Sequence, residues 1–164
     1  MKSSICSVLV SGLLVIGLSS PVAADDATAL REAQDRAEIE ALVWRYVRAL
    51  DSFDAEAYAA VFTEDGQFGT GANATRGREA LKAMVSGLAE ARTAESPAMY
   101  HVIANHSIEF IDADTARYHS YWMTVFGAAA GGQPRVAAAG RGIDDLVRTD
   151  EGWLIRSRNV QPGD

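Results

Sequence analysis

The hydrophobic period of this sequence changes once, close to Pro97, and that change restricts the folds open to it. Upstream, Ile39, Leu42, Val43, Tyr46, Val47 and Leu50 fall at the spacing of one buried helical face. The spacing predicts a first helix from near Thr28 to Ser52-Phe53, after which Asp54 caps a short second helix that buries Tyr58, Val61 and Phe62. Glu64-Asp65-Gly66 reads as a turn and residues 67–70 as a short strand. Gly77-Arg78-Glu79 opens a third helix with Leu81, Met84, Val85 and Leu88 on one side. Downstream the period becomes two. Residues 99–111, 115–128, 135–149 and 153–160 read as four long strands, joined by hairpin turns at 112–114 and 150–152 and a looser loop at 131–134. Helices first and an antiparallel meander afterwards predict an α+β domain, with the helices against one side of a curved sheet.

Residues 1–24 read as a leader rather than as part of that domain. Lys2 supplies a positive start, the apolar stretch from Ile5 to Leu18 is short for a bilayer span, and Val22-Ala23-Ala24 is a small-residue cleavage site. Cys6 precedes the apolar core, whereas a lipid-modified cysteine follows it. Cleavage after Ala24 leaves residues 25–164 as one domain of ordinary size, exported and without cysteine, so stability rests on its core. That domain carries 14 basic against 22 acidic residues, a balance that argues against nucleic acid or an anionic membrane surface as partner.

Taken in order, "AEIEALVWRYVRALDSFDAEAYAAVFTEDGQF", "RGREAL", "YHVIANHSIEF", "TARYHSYW" and "LVRTDEGWLIRSR" resemble the SnoaL-like branch of the NTF2-like superfamily over nearly all of residues 37–160. The resemblance implies an NTF2-like cone: a strongly bent antiparallel sheet packed on N-terminal helices, with a deep apolar pocket open at one end. Its members include scytalone dehydratase, bile-acid 7α-dehydratase, ketosteroid isomerase and limonene epoxide hydrolase, together with proteins that only bind or scaffold. Fold therefore leaves function open.

In the dehydratase members a carboxylate ending the first helix faces a histidine at the start of the first long strand. Asp51 and His101 match those positions, and Tyr46 matches the tyrosine preceding the aspartate in the bile-acid enzyme. The chemistry fits. Imidazole is a base near neutral pH, a carboxylate on its other nitrogen fixes the tautomer, and a tyrosine hydroxyl can donate to a developing enolate. Helical geometry sets a condition: Tyr46 and Asp51 lie about 140° apart on the helix, so both reach one pocket only if the chain bends near Leu50. Other members' machinery fits less well. No acid occupies "QFGT", where the isomerase base falls, and Val125 stands at the second histidine of scytalone dehydratase, with His119 offset from it.

Strand alternation places His101, Ile103 and Asn105 on one face and His106 on the other, so Asn105 joins Phe68 and Tyr121 as expected substrate contacts and no metal site is expected. Tyr118, Tyr121, Trp122 and Phe126 make one strand apolar on both faces, which predicts a homodimer through the face turned away from the pocket. Gly142, where an aromatic is frequent in the family, marks either a bulge or a larger pocket. Two readings follow. One is a lyase or isomerase acting without cofactor on an apolar, carbonyl-bearing small molecule; the other is a binding or assembly module that does no chemistry.

Overall fold

The computed structural model describes residues 21–128 and 132–162, with side-chain surroundings for 25–128 and 132–160. The expected leader lies outside the described residues except for the backbone of residues 21–24, and Gly131 of the expected loop lies outside them too. The chain forms two units, residues 1–33 and 34–164. The described part of the first is helical, with residues 25–33 exposed. No helix among the described residues is long and apolar enough to cross a membrane.

Helix α1 (Pro21–Asp51) begins earlier than the expected start near Thr28 and ends where the apolar stripe ends. Helix α2 (Ala55–Ala60) is capped as expected, the Asp54 carboxylate accepting from the Ala57 amide at 2.9 Å. Strand β1 (Phe62–Phe68) absorbs Glu64-Asp65-Gly66, which is not the expected turn. Gly66 is buried in it, and a Cβ there would come within 2.9 Å of the Phe62 Cβ and of a backbone oxygen. A short β2 (Thr75–Arg76) and helix α3 (Arg78–Glu90) follow, with Leu81 and Val85 buried and Leu88 left exposed. The four long strands are β3 (Met99–Phe110), β4 (Thr115–Phe126), β5 (Arg135–Thr149) and β6 (Gly152–Pro162).

The sheet order is β2-β1-β6-β5-β4-β3. The long strands form the expected antiparallel meander, and β1 adds to its edge by pairing parallel with β6. In the second unit Ile39, Leu42, Tyr46 and Val47 of α1 share one buried cluster with Phe62, Ile108, Leu146, Trp153 and Ile155 of the sheet. Burying each such side chain is worth about 1.5–3 kcal/mol, and this layer holds the curved sheet against the helices.

Three register shifts among the long strands decide which of their side chains turn inward. On β3 the shift between Ala104 and Ser107 centres on Asn105, whose φ of 47° is left-handed. On β6 the pairing passes from Leu146↔Ile155 to Asp145↔Ser157, leaving Arg156 as the extra residue. The third shift, between Thr124 and Val125 of β4, leaves Ala137 of β5 extra. Each extra residue inverts the alternation beyond it.

Candidate functional site

The C-terminus of α1 sets the first wall. The Phe53 amide donates to the Leu50 carbonyl at 3.2 Å and the Asp54 amide to the Ala49 carbonyl at 2.9 Å, with Phe53 left-handed at φ 57°. That bond pair is the Schellman termination, here without its usual glycine. Arg92 clamps the turn: its guanidinium carbon lies 4.6 Å from the Phe53 ring centroid, and its Nη2 donates to the Pro97 carbonyl at 2.6 Å. One side chain thus ties the end of α1 to the segment leading into β3.

This brings Asp51 to His101. The Asp51 Oδ1 lies 2.7 Å from the His101 ring Nδ1. The same carboxylate accepts from the His101 backbone amide, at 3.1 Å to Oδ1 and 3.2 Å to Oδ2. Because β3 is an edge strand, that amide would otherwise have no strand partner on its outer side. An ionised carboxylate only accepts, so it selects the tautomer carrying its proton on Nδ1 and leaves Nε2 basic. The side chains are 15% and 19% exposed, so the pair is shielded without being sealed.

His101 lines an apolar cavity of about 200 Å³ with Tyr46, Leu50, Phe68, Ile103, Trp122 and Thr124. Ala138, Val160 and Arg158 complete the wall. The expected bend at Leu50 does not occur, since α1 stays helical through Asp51. Tyr46 meets the cavity directly, whereas Asp51 stands behind His101 and lines a separate surface hollow with Arg48 and Met99.

Two expected contacts are corrected. Asn105 is the bulge residue of β3, exposed, and lines an outer groove with His119 and Arg141. Tyr121 is 55% exposed in that same groove, and its neighbour Trp122 faces the cavity instead. The same bulge overturns the expectation that His101 and His106 lie on opposite faces. His106 turns toward α1, 3.2 Å from Glu40, and its ring stacks on Tyr118 with centroids 5.3 Å apart. Thr124, not Val125, is the cavity residue at that level of β4, and His119 points outward, 3.7 Å from Glu109. Among the described residues no three His, Cys, Asp or Glu side chains are grouped to hold a metal ion.

The residue that sequence reasoning missed is Arg158. It is 2% exposed and pairs with Asp144, which is fully buried. Its guanidinium carbon lies 4.3 Å from the Tyr46 ring centroid, and Tyr46 in turn packs on Tyr58 at 5.3 Å. Burial pushes the Asp144 carboxyl up to about 6 against the pull of Arg158. Burial works against the charged form of Arg158, but Asp144 and the Tyr46 and Tyr58 hydroxyls outweigh it and hold the guanidinium charged. The Tyr118 phenol is pushed up to about 12, first by burial and then by Asp144. Gly142 packs beside the pair: a Cβ there would crowd the Ser120 Oγ at 3.0 Å and lie in ordinary contact, 3.9 Å, with the Arg158 Nη2. No bulge falls at Gly142, and it lines the groove of Asn105 and Tyr121 rather than the cavity of His101. The signal for Arg158 was present only as a second arginine two residues from Arg156; plain alternation would have put both outside.

A bent sheet over helices, enclosing an apolar cavity with His101 in its wall and Asp51 behind it, is the architecture of NTF2-like small-molecule pocket proteins. Residues 31–159 match the SnoaL-like domain, and the chain belongs to that family. Similar solved structures share the fold. An NTF2-like protein with a cystatin-like fold from Novosphingobium aromaticivorans is 26% identical over 90% of this chain and 93% of its own, with a TM-score of 0.75. Rv3472 of Mycobacterium tuberculosis, solved as a D26N variant and described as of unknown function, is 28% identical over 77% and 75%, with a TM-score of 0.67. A Catenulispora acidiphila protein solved in complex with S-DNPA is 26% identical over 79% and 94%, with a TM-score of 0.68. No curated protein matches the chain.

Proposed function

We propose that this protein is an acid-base lyase or isomerase that enolises an apolar, carbonyl-bearing small molecule, with His101 as the base and Asp51 as its positioning residue. The observation that carries the reading is the 2.7 Å contact between Asp51 Oδ1 and His101 Nδ1 at the wall of an apolar cavity. In the forward step the C–H bond beside the carbonyl breaks and its proton passes to His101 Nε2. The C–H electron pair forms a C=C bond, and the carbonyl π pair moves onto oxygen. Asp51 stabilises the imidazolium so formed. Return of the proton to a different carbon gives isomerisation. Re-forming the carbonyl with departure of a β-hydroxyl, which takes the proton from His101, gives dehydration. Neither route changes the oxidation state, so neither requires an added oxidant or reductant. That the Catenulispora relative was solved in complex with S-DNPA supports a ligand-binding reading of this fold.

The test is proton exchange. A panel of enolisable ketones, 2-tetralone among them, is incubated with the protein in deuterated buffer, and loss of the α-proton signal is followed by NMR. Exchange above the buffer rate with the wild type, and at the buffer rate with His101→Gln, is the expected result. Equal rates for the two proteins, with ligand binding retained, would leave the protein as a binding module.

The leader of residues 1–24 supports export with cleavage after Ala24, which an intact mass beginning at Asp25 would establish. The outer sheet face supports a homodimer. Exposed Tyr100, Val102, Tyr121 and Val136 join there through the Tyr100↔Val125↔Val136 and Ala104↔Tyr121 registers into one apolar patch.

A further inference from the structure

The Asp-His pair and the inner cavity leave one open hollow without a role. It lies between α1 and β3 with a volume of about 430 Å³, lined by Glu40, Val43, Trp44 and Val47 of the helix and by His106 and Tyr118 of the sheet. We infer that this hollow is a second ligand site, and that its ligand is a small protonated amine carried on an apolar body. The inference goes beyond the enolisation reading and does not rest on it.

Two local devices build the site. Positions 40, 43, 44 and 47 recur at one helical spacing, so a carboxylate, an indole and two valines share one strip of α1. That strip lies along β3, the last strand of the sheet, and no further strand covers the gap. The bulge at Asn105 brings His106 to the same side, where its ring stacks on Tyr118. His101 and Ile103 line both the hollow and the inner cavity, so a molecule in the hollow rests against the wall that carries His101.

Three observations carry the ligand class. Glu40 engages His106 through Oε1, 3.2 Å from Nε2, while its Oε2 has no partner among the described residues. Tyr118 is 2% exposed, yet its hydroxyl makes no hydrogen bond among the described residues, a condition in which buried hydroxyls are seldom left. Burial, Asp144 and Glu40 keep that phenol protonated against the pull of Arg158. Trp44 is 65% exposed and adds an apolar surface beside these two oxygens.

Charge decides among the candidate ligands. No lysine or arginine lines the hollow, so an anion meets Glu40 with nothing to offset the repulsion. Arg36, one turn before Glu40, is held by the Ile108 carbonyl at 3.3 Å and lies 4.9 Å from the Phe110 ring centroid. A neutral apolar molecule would cover the Glu40 carboxylate without pairing it, which is costly. A protonated amine pairs with Glu40 Oε2, donates a second N–H to the Tyr118 oxygen and lays its carbon frame on Trp44, whose indole face also attracts an ammonium.

The three tryptophans of the chain stand in different places and report the outcome. Trp44 lines the hollow, Trp122 lines the inner cavity and Trp153 is in the core. Their indole N–H signals are followed by ¹⁵N-edited NMR at neutral pH, with Trp44→Phe and Trp122→Phe for assignment. The titrants are 2-phenylethylamine, 2-phenylethanol and 3-phenylpropionate, which share a frame and differ in charge. The amine should shift Trp44, leave Trp122 and Trp153 in place, and bind roughly 10-fold more tightly than the alcohol, with no shift from the carboxylate. Glu40→Gln should lower amine affinity roughly 10-fold, to the level of the alcohol, and Tyr118→Phe should lower it roughly 2- to 10-fold. An unmoved Trp153 signal shows that each variant is folded.

Equal affinity for amine and alcohol would make the hollow a plain apolar groove and overturns the proposal. So does amine affinity unchanged in Glu40→Gln, or a shift of Trp122 in place of Trp44. No shift of Trp44 up to the amine's solubility limit overturns it as well.

Discussion

Replacing Asp51 by Asn tests the pair at the level of one proton. In the wild type the carboxylate accepts twice, from the His101 backbone amide at 3.1 Å and from the ring Nδ1 at 2.7 Å. Asparagine keeps one acceptor oxygen and replaces the other with a donor. If the oxygen stays with the backbone amide, the NH₂ faces Nδ1, which must then become the acceptor. The ring proton moves to Nε2, and the only nitrogen left to act as a base is lost to the cavity. The loss of one charge-assisted bond should cost about 1.5–3 kcal/mol of stability, toward the lower figure because both groups retain some exposure. The rate of α-proton exchange should fall roughly 10,000-fold, the size of the loss when a wrong tautomer is imposed on a serine-protease triad. The direct assay is ¹⁵N-edited NMR of the histidine rings, with His101 assigned by its absence in His101→Gln. The wild-type ring should show the proton on Nδ1 and the Asn variant should show it on Nε2. An unchanged tautomer in a folded variant would refute the reasoning, whatever happened to the rate.

Three further predictions concern the rest of the molecule. Because the Asp144 carboxyl is raised from 3.8 to about 6, the folded state holds its proton more tightly than the unfolded chain; stability is then greatest below pH 4 from this group and declines by about 3 kcal/mol as pH rises through 6. Urea unfolding across that range should show the decline in the wild type and not in Asp144→Asn/Arg158→Met; a decline of equal size in both would assign it elsewhere. Tyr121→Arg should convert a dimer to a monomer by light scattering, since it places a charge in the apolar outer patch; a wild type that is already monomeric at micromolar concentration would refute the interface. Asn105→Val should destabilise by about 1–2 kcal/mol and Asn105→Gly should not, because φ of 47° penalises a branched side chain; equal melting temperatures for the two would argue against the left-handed bulge.

The elements and the neighbourhood of the site were legible from local rules. The helical stripe of α1, the Asp54 cap and the four antiparallel strands follow from spacing that each segment carries by itself. Phe68, Tyr46 and His101 all line the cavity. What those rules could not supply was strand phase. Alternation is a period of two only while every residue has a partner, and one unpaired residue reverses it for the rest of the strand. The bulge at Asn105 turned that residue outward and brought His106 to the helix side. The extra residue Arg156 turned Arg158 inward beneath Tyr46. The neighbouring strand decides where such a residue falls, because the cost of an unpaired residue is set by the whole ladder and by what must be buried beneath it. Likewise Asp51 reached the site without a bend in its helix, because Arg92 and the edge of β3 brought His101 to it. The sequence by itself determined which side chains were available for chemistry; pairing across the sheet decided which of them face the cavity.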